Sequence, residues 1–86
     1  MSISTTDGRG RRSWMTVLNG TRLRELRRER GLSQEQLAER AGISLTTVVR
    51  LERQSRAPCR GRTLARLAVA LDEQPASMRL PAPAAD

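Results

Sequence analysis

The sequence predicts an all-α fold, a compact five-helix bundle containing a helix-turn-helix, on three observations. The chain has 86 residues, enough for one hydrophobic core and too few for two. Trp14 is its only aromatic residue, so the core must be built from Leu, Val, Ile and Ala, without the aromatics that favour strands. Apolar residues also recur at helical spacing, in segments that open on capping residues and close on glycines.

Residues 1–13 are polar and carry "GRGRR"; they read as a disordered basic arm, with the ordered domain over 14–80 and a frayed tail over 81–86. In "VLNGTRLRELRRERG", Asn19 is placed to cap a first helix. Leu18 and Leu23 stand at the two positions of a hydrophobic staple. Leu23 and Leu26 form its narrow apolar stripe and Gly31 ends it. "SQEQLAERAG" is a second helix, with Ser33 and Gln36 at capping-box spacing and Leu37, Ala38 and Ala41 facing inward. Gly42 stops it, and Ser44 caps a third helix from Leu45 to about Gln54. A linker this short forces a sharp angle between helices two and three, which makes a helix-turn-helix. "QSRAPCRGR" reads as a loop and "TLARLAVAL" as a fourth helix burying Leu64, Leu67, Ala68 and Leu71. Pro75 starts a short fifth helix, "PASMRL", whose Met78 closes the core.

All sixteen basic residues are Arg, the formal net charge is +7, and the charge is unevenly placed. Residues 1–32 hold eight Arg against three acids, and residues 50–66 hold six Arg against Glu52. Two basic segments around a near-neutral middle suit a polyanion, most often nucleic acid; a solvated basic face is the plain alternative. One Cys, Cys59, and no His leave no intramolecular disulfide, no usual zinc ligand set and no His-based catalysis. No cofactor and no enzymatic activity are expected. No apolar run reaches a membrane span and no secretory signal is present, so the expected location is cytoplasmic.

In helix three, Val48 and Leu51 lie within about 60° of each other at about 100° per residue, and so point to the core. Thr46 and Arg53 then point outward, with Val49 and Arg50 on either side and Leu45 at the rim. An apolar, threonine and arginine mixture on a solvent face needs a reason.

"LRELRRERGLSQEQLAERAGIS…VVRLER", followed by "TLARLAVAL", resembles the phage repressor and Cro family of DNA-binding domains, the XRE type, over roughly residues 18–80. The resemblance implies the lambda-repressor-like arrangement of five helices, with helix three entering the major groove of double-stranded DNA. On it, the DNA base-reading residues are Leu45, Thr46, Val49 and Arg50: Leu45 and Val49 against thymine methyl groups, Arg50 on guanine, Thr46 on a base edge or a phosphate. Leu45 as packing under helix two and Val49 as ordinary exposed surface remain open alternatives. The phosphate-binding residues are Gln34, Ser44, Arg53, Arg56 and Arg60; Ser44 is a helix cap first, and Arg53 is equally placed to read a base. Arg62 joins the same basic loop, and Arg9, Arg11 and Arg12 either follow the backbone or are simply disordered. Glu52 is expected to pair with a base of helix one. Relatives usually carry Gly where this chain has Gln54, so helix three is expected to end differently here, and the loop after it to be longer by about one residue.

The function that follows is a sequence-specific transcriptional regulator, a repressor acting by operator occupancy, bound as a homodimer to half-sites one helical turn apart. No separate ligand-sensing domain is expected. Glu35 and Glu39 form a small acidic patch on helix two, open to contact with RNA polymerase or a regulatory protein. The competing reading is an antitoxin-type or other protein-interaction module whose helical bundle binds a polypeptide.

Overall fold

A computed structural model describes residues 15–81. Strand β1 (Met15–Leu18) leads into helices α1 (Gly20–Glu29), α2 (Gln34–Ala41) and α3 (Leu45–Glu52). Strand β2 (Ala57–Arg60), helix α4 (Gly61–Leu71), a single 3-10 turn (Pro75–Ser77) and strand β3 (Arg79–Leu80) complete it.

Two sequence expectations require correction. Among the described residues the fold is not an all-α five-helix bundle: four helices pack with a three-stranded antiparallel sheet in the order β2-β1-β3. The expected fifth helix is the 3-10 turn plus β3, and the expected loop after α3 contains β2. Short segments like these gain little from an isolated helical turn, because nucleation is unfavourable. Pairing supplies hydrogen bonds instead, with Thr16 opposite Cys59, Leu18 opposite Ala57 and Val17 opposite both Pro58 and Leu80. Pro58, which cannot donate to a ladder, sits on an edge strand. The second correction is that α3 ends at Glu52, with Arg53 as its C-cap, and not at Gln54. Gly20, the first residue of α1, lies against the carbonyl oxygens of Leu51 and Gln54, so the start of one helix abuts the end of the other.

The starts of α1, α2 and α3 follow the caps written in the sequence, whereas α4 starts two residues before Thr63 with no side-chain cap on Arg60. Asn19 Oδ1 accepts the Arg22 N–H at 3.1 Å. Ser33 Oγ accepts the Gln36 N–H at 3.0 Å while Gln36 Oε1 accepts the Ser33 N–H at 2.8 Å, a complete capping box. Gly42, at φ 70°, turns the chain out of α2 in the left-handed conformation that glycine adopts without steric cost.

The core gathers Leu18 from β1, Leu23 and Leu26 from α1, and Leu37 from α2. Val48 and Leu51 of α3, Leu64, Leu67 and Leu71 of α4, and Met78 complete it. Ala57 and Cys59 face the same core from β2. Burying each such leucine stabilises the fold by about 1.5–3 kcal/mol relative to exposing it. The Asn19 N–H donates to the Met78 carbonyl at 2.7 Å, which joins the start of α1 to the last turn. The expected basic arm, Trp14 and most of the expected tail lie outside the described residues.

Candidate nucleic-acid interface

Helix α3 is a short helix with a strong cap. Ser44 Oγ accepts the Thr47 N–H at 3.1 Å and lies 2.8 Å from the Thr47 hydroxyl, which satisfies one of the first-turn donors. Val48 and Leu51 are fully buried. The opposite face is left uncovered: Leu45 is 40% exposed, Thr46, Arg50 and Arg53 are exposed and Val49 is half-buried. Together with Gln54 these residues line one open concavity. The four expected base-reading residues and Arg53 are thus brought together on a single surface, and Leu45 is not absorbed beneath α2.

The roll of α3 about its axis is held by one buried carboxylate. Glu52 is 4% exposed and receives Arg27 Nε at 2.6 Å, Arg27 Nη2 at 3.0 Å and Gln34 Nε2 at 3.1 Å. Arg27 also donates from Nη1 to the Leu32 carbonyl at 2.8 Å. One side chain therefore ties α1, α2 and the linker between them to α3. A paired, two-pronged contact of this kind fixes direction as well as distance. The expected partnership of Glu52 with helix one is present, and Arg27 supplies it. Gln34, expected on a phosphate, spends one amide donor on Glu52 in this state. The backbone N–H groups of Gln34 and Glu35, in the first turn of α2, have no partner within the helix.

The flank towards α1 is a basic hollow lined by Arg24, Arg27, Arg28, Gln34, Glu52 and Arg53. Arg24 Nη2 donates to the Glu52 carbonyl at 3.3 Å, and Arg28 is exposed. The sequence-based choice of sites omitted Arg24 and Arg28. The signal was available, because both share with Arg27 the i, i+3 and i+4 spacing that places residues on one helix face.

The flank towards the sheet is built differently. Arg50 Nη1 lies 3.3 Å from the Pro58 carbonyl, a weak contact across the α3–β2 gap. Arg50, Thr47, Arg60 and Thr63 border a second concavity whose wall includes Cys59. Burial pushes the Cys59 thiol up from its ordinary range, and the neighbouring Arg50 charge pulls it partly back. Arg56 stands apart from this group, its Nη2 donating to the Pro81 carbonyl at 3.1 Å.

The resulting surface is an exposed helix face with apolar, hydroxyl and guanidinium groups, bordered by basic flanks. A helix with its side chains is about 10–12 Å across, and the major groove of B-DNA is about 12 Å wide. Thr46, Arg50 and Arg53 present hydrogen-bonding groups on this surface, and Leu45 and Val49 present apolar ones.

A helix-turn-helix domain model matches residues 20–80 of the chain. The chain is similar to the restriction-modification controller protein C.AhdI from Aeromonas hydrophila, at 44% identity over 66% of this chain and 85% of that one, with a TM-score of 0.61. It is similar to SinR, the master regulator for biofilm formation, in a crystal structure in complex with DNA, at 28% identity over 67% of this chain and 92% of that one, with a TM-score of 0.64. The SinR–SinI complex also matches, at 27% identity over 69% of this chain and 57% of that one, with a TM-score of 0.65. No curated protein matches.

Proposed function

The chain belongs to the helix-turn-helix DNA-binding family of the phage repressor and Cro (XRE) type, and from that premise we propose that it is a sequence-specific repressor that acts by occupying its operator. The observation that carries the proposal is the uncovered face of α3, where Leu45, Thr46, Val49, Arg50, Arg53 and Gln54 form one surface while Glu52 ties the helix to α1 at its flank. Arg50 reads a guanine after leaving its contact with Pro58, and Leu45 and Val49 pack on thymine methyl groups. Gln34, Ser44, Arg53 and Arg60 hold phosphates, with Arg24 and Arg28 added from α1. Arg56 serves as a more distant phosphate contact once it turns from Pro81.

Binding as a homodimer to two half-sites one helical turn apart is part of the proposal, since one α3 reads too few base pairs to single out an operator. The solved structure of SinR in complex with DNA supports the reading of this chain as a DNA-binding protein. A cytoplasmic location goes with it; among the described residues no helix is long and apolar enough to cross a membrane. The protein is a binding protein in this reading, not an enzyme, and repression by occupancy needs no surface beyond the DNA face.

The test is selection from a random duplex library at near-physiological salt. Recovery of an inverted repeat with half-sites one turn apart is expected. Recovery of nothing above background would favour the antitoxin-type or protein-interaction reading.

A further inference from the structure

Helix α4 has a second face that neither the core nor the α3 surface uses. Leu64, Leu67, Ala68 and Leu71 point inward. The other side presents Arg62, Ala65, Arg66 and Val69, spaced three or four residues apart and so aligned in one stripe. Val69 is 82% exposed, the most exposed of the large apolar side chains among the described residues. Across from this stripe stands the last turn of α2 with Arg40 and Ala41, and the six residues enclose one groove. None of them belongs to α3 or to the sheet.

The charge on the groove is of one sign. Arg40, Arg62 and Arg66 border it, and no acidic residue lines it. Arg66 is held in place, its Nη1 donating to the Gly42 carbonyl at 3.2 Å, which leaves its remaining donors available. The Arg40 and Arg62 side chains make no hydrogen bond or ion pair among the described residues. An apolar centre inside a rim of arginines has the composition of a protein-binding patch more than of a phosphate-binding one. Phosphates gain nothing from Val69 and Ala65, whereas apolar area at the centre of an interface contributes when water is excluded by the rim.

We propose that the α2–α4 groove docks an acidic amphipathic helix of a partner protein, whose apolar side chains seat on Val69 and Ala65 while its carboxylates meet Arg40, Arg62 and Arg66. The contact is of the helix-in-groove kind, with anchors three and four residues apart. It supplies a route for a protein signal to reach a DNA-binding domain through a surface separate from its reading face.

The experiment is fluorescence anisotropy of the full chain with a labelled acidic peptide of about 16 residues, long enough to become helical when bound, carrying leucine every three or four positions. A second peptide of equal charge has serine in place of leucine. The leucine peptide is expected to bind at least about tenfold more tightly than the serine peptide. Val69→Asn, at an exposed position that leaves the core intact, and Arg40→Ala with Arg62→Ala are each expected to weaken it by about tenfold or more. Arg50→Ala with Arg53→Ala on α3 is expected to leave it unchanged. Equal binding of both peptides, or an equal loss in the α3 variant, would show attraction by net charge alone and overturn the proposal. A loss of affinity for duplex DNA in Val69→Asn would reassign the groove to DNA and overturn it as well. The peptide measurements do not depend on whether the α3 face recognises an operator.

Discussion

Arg27 of α1 and Glu52 of α3 form a two-pronged ion pair, Nε to Oε2 at 2.6 Å and Nη2 to Oε1 at 3.0 Å, with side-chain exposures of 11% and 3%. The pair lies at the α1 flank of the uncovered face of α3, in the hollow that Arg53 also lines, and it ties that helix to α1. Removal of Arg27 leaves a carboxylate in the interior with only the Gln34 amide to satisfy it. Arg27→Ala is therefore expected to destabilise the fold by about 3–5 kcal/mol, read as a lower denaturation midpoint. Replacing both residues by apolar ones of similar size is expected to recover most of that loss, because no charge is then stranded. Recovery of stability without recovery of DNA binding would separate the pair's orienting role from its energetic one.

Gly20 gives a test of how α1 meets α3. A Cβ at this position would collide with the carbonyl oxygens of Leu51 and Gln54, both backbone atoms that cannot swing aside. Gly20→Ala is expected to cost about 1–3 kcal/mol despite alanine's better helix propensity. Equilibrium unfolding in urea measures it, and a neutral or stabilising result would mean that the two helices do not abut in this way.

Arg50 is expected to separate stability from recognition. Its contact with the Pro58 carbonyl is exposed and long, so Arg50→Ala should change stability by less than about 0.5 kcal/mol. On a selected operator the same change should cost about 1–3 kcal/mol and relax preference at one base pair. A uniform loss across all sequences would recast Arg50 as a phosphate contact.

The basic flank of α1 makes a prediction about salt. If about six phosphates are neutralised per complex, the plot of log affinity against log salt should have a slope near about −5. Arg24→Ala and Arg28→Ala should each reduce that slope by about one, with little effect on which sequence is preferred. An unchanged slope in both variants would remove them from the interface.

Glu73 provides a pH probe far from α3. Its carboxyl is held below the usual carboxylate range, first by the Ser77 hydroxyl, which donates to Oε1 at 2.9 Å, and also by Arg30 at 3.3 Å. A carboxyl lowered in the folded state stabilises the fold above its unfolded pKa, and this contribution is lost as pH falls through the folded value. Ser77→Ala is expected to move the Glu73 titration upward in carboxyl NMR. The stability difference between wild type and variant should shrink as the solution is acidified through that range. An unmoved midpoint would show that the hydroxyl is not the main cause.

Much of the exposed α3 face was written locally. Asn19, Ser33 with Gln36, Gly42 and Ser44 mark helix limits through bonds to residues three or four positions away, so adjacent sequence suffices to read them. The period of Val48 and Leu51 likewise determines by itself that Leu45, Thr46, Val49, Arg50 and Arg53 share the outer side. The sheet was decided elsewhere. Met15–Leu18 becomes a strand because Ala57–Arg60 and Arg79–Leu80 come to lie beside it, and hydrogen bonds between segments so distant in the chain leave no local period to detect. The Glu52 lock with Arg27 and Gln34 and the abutment of Gly20 on α3 belong to the same category. Each depends on where a helix packs, and packing is settled only when the whole core closes.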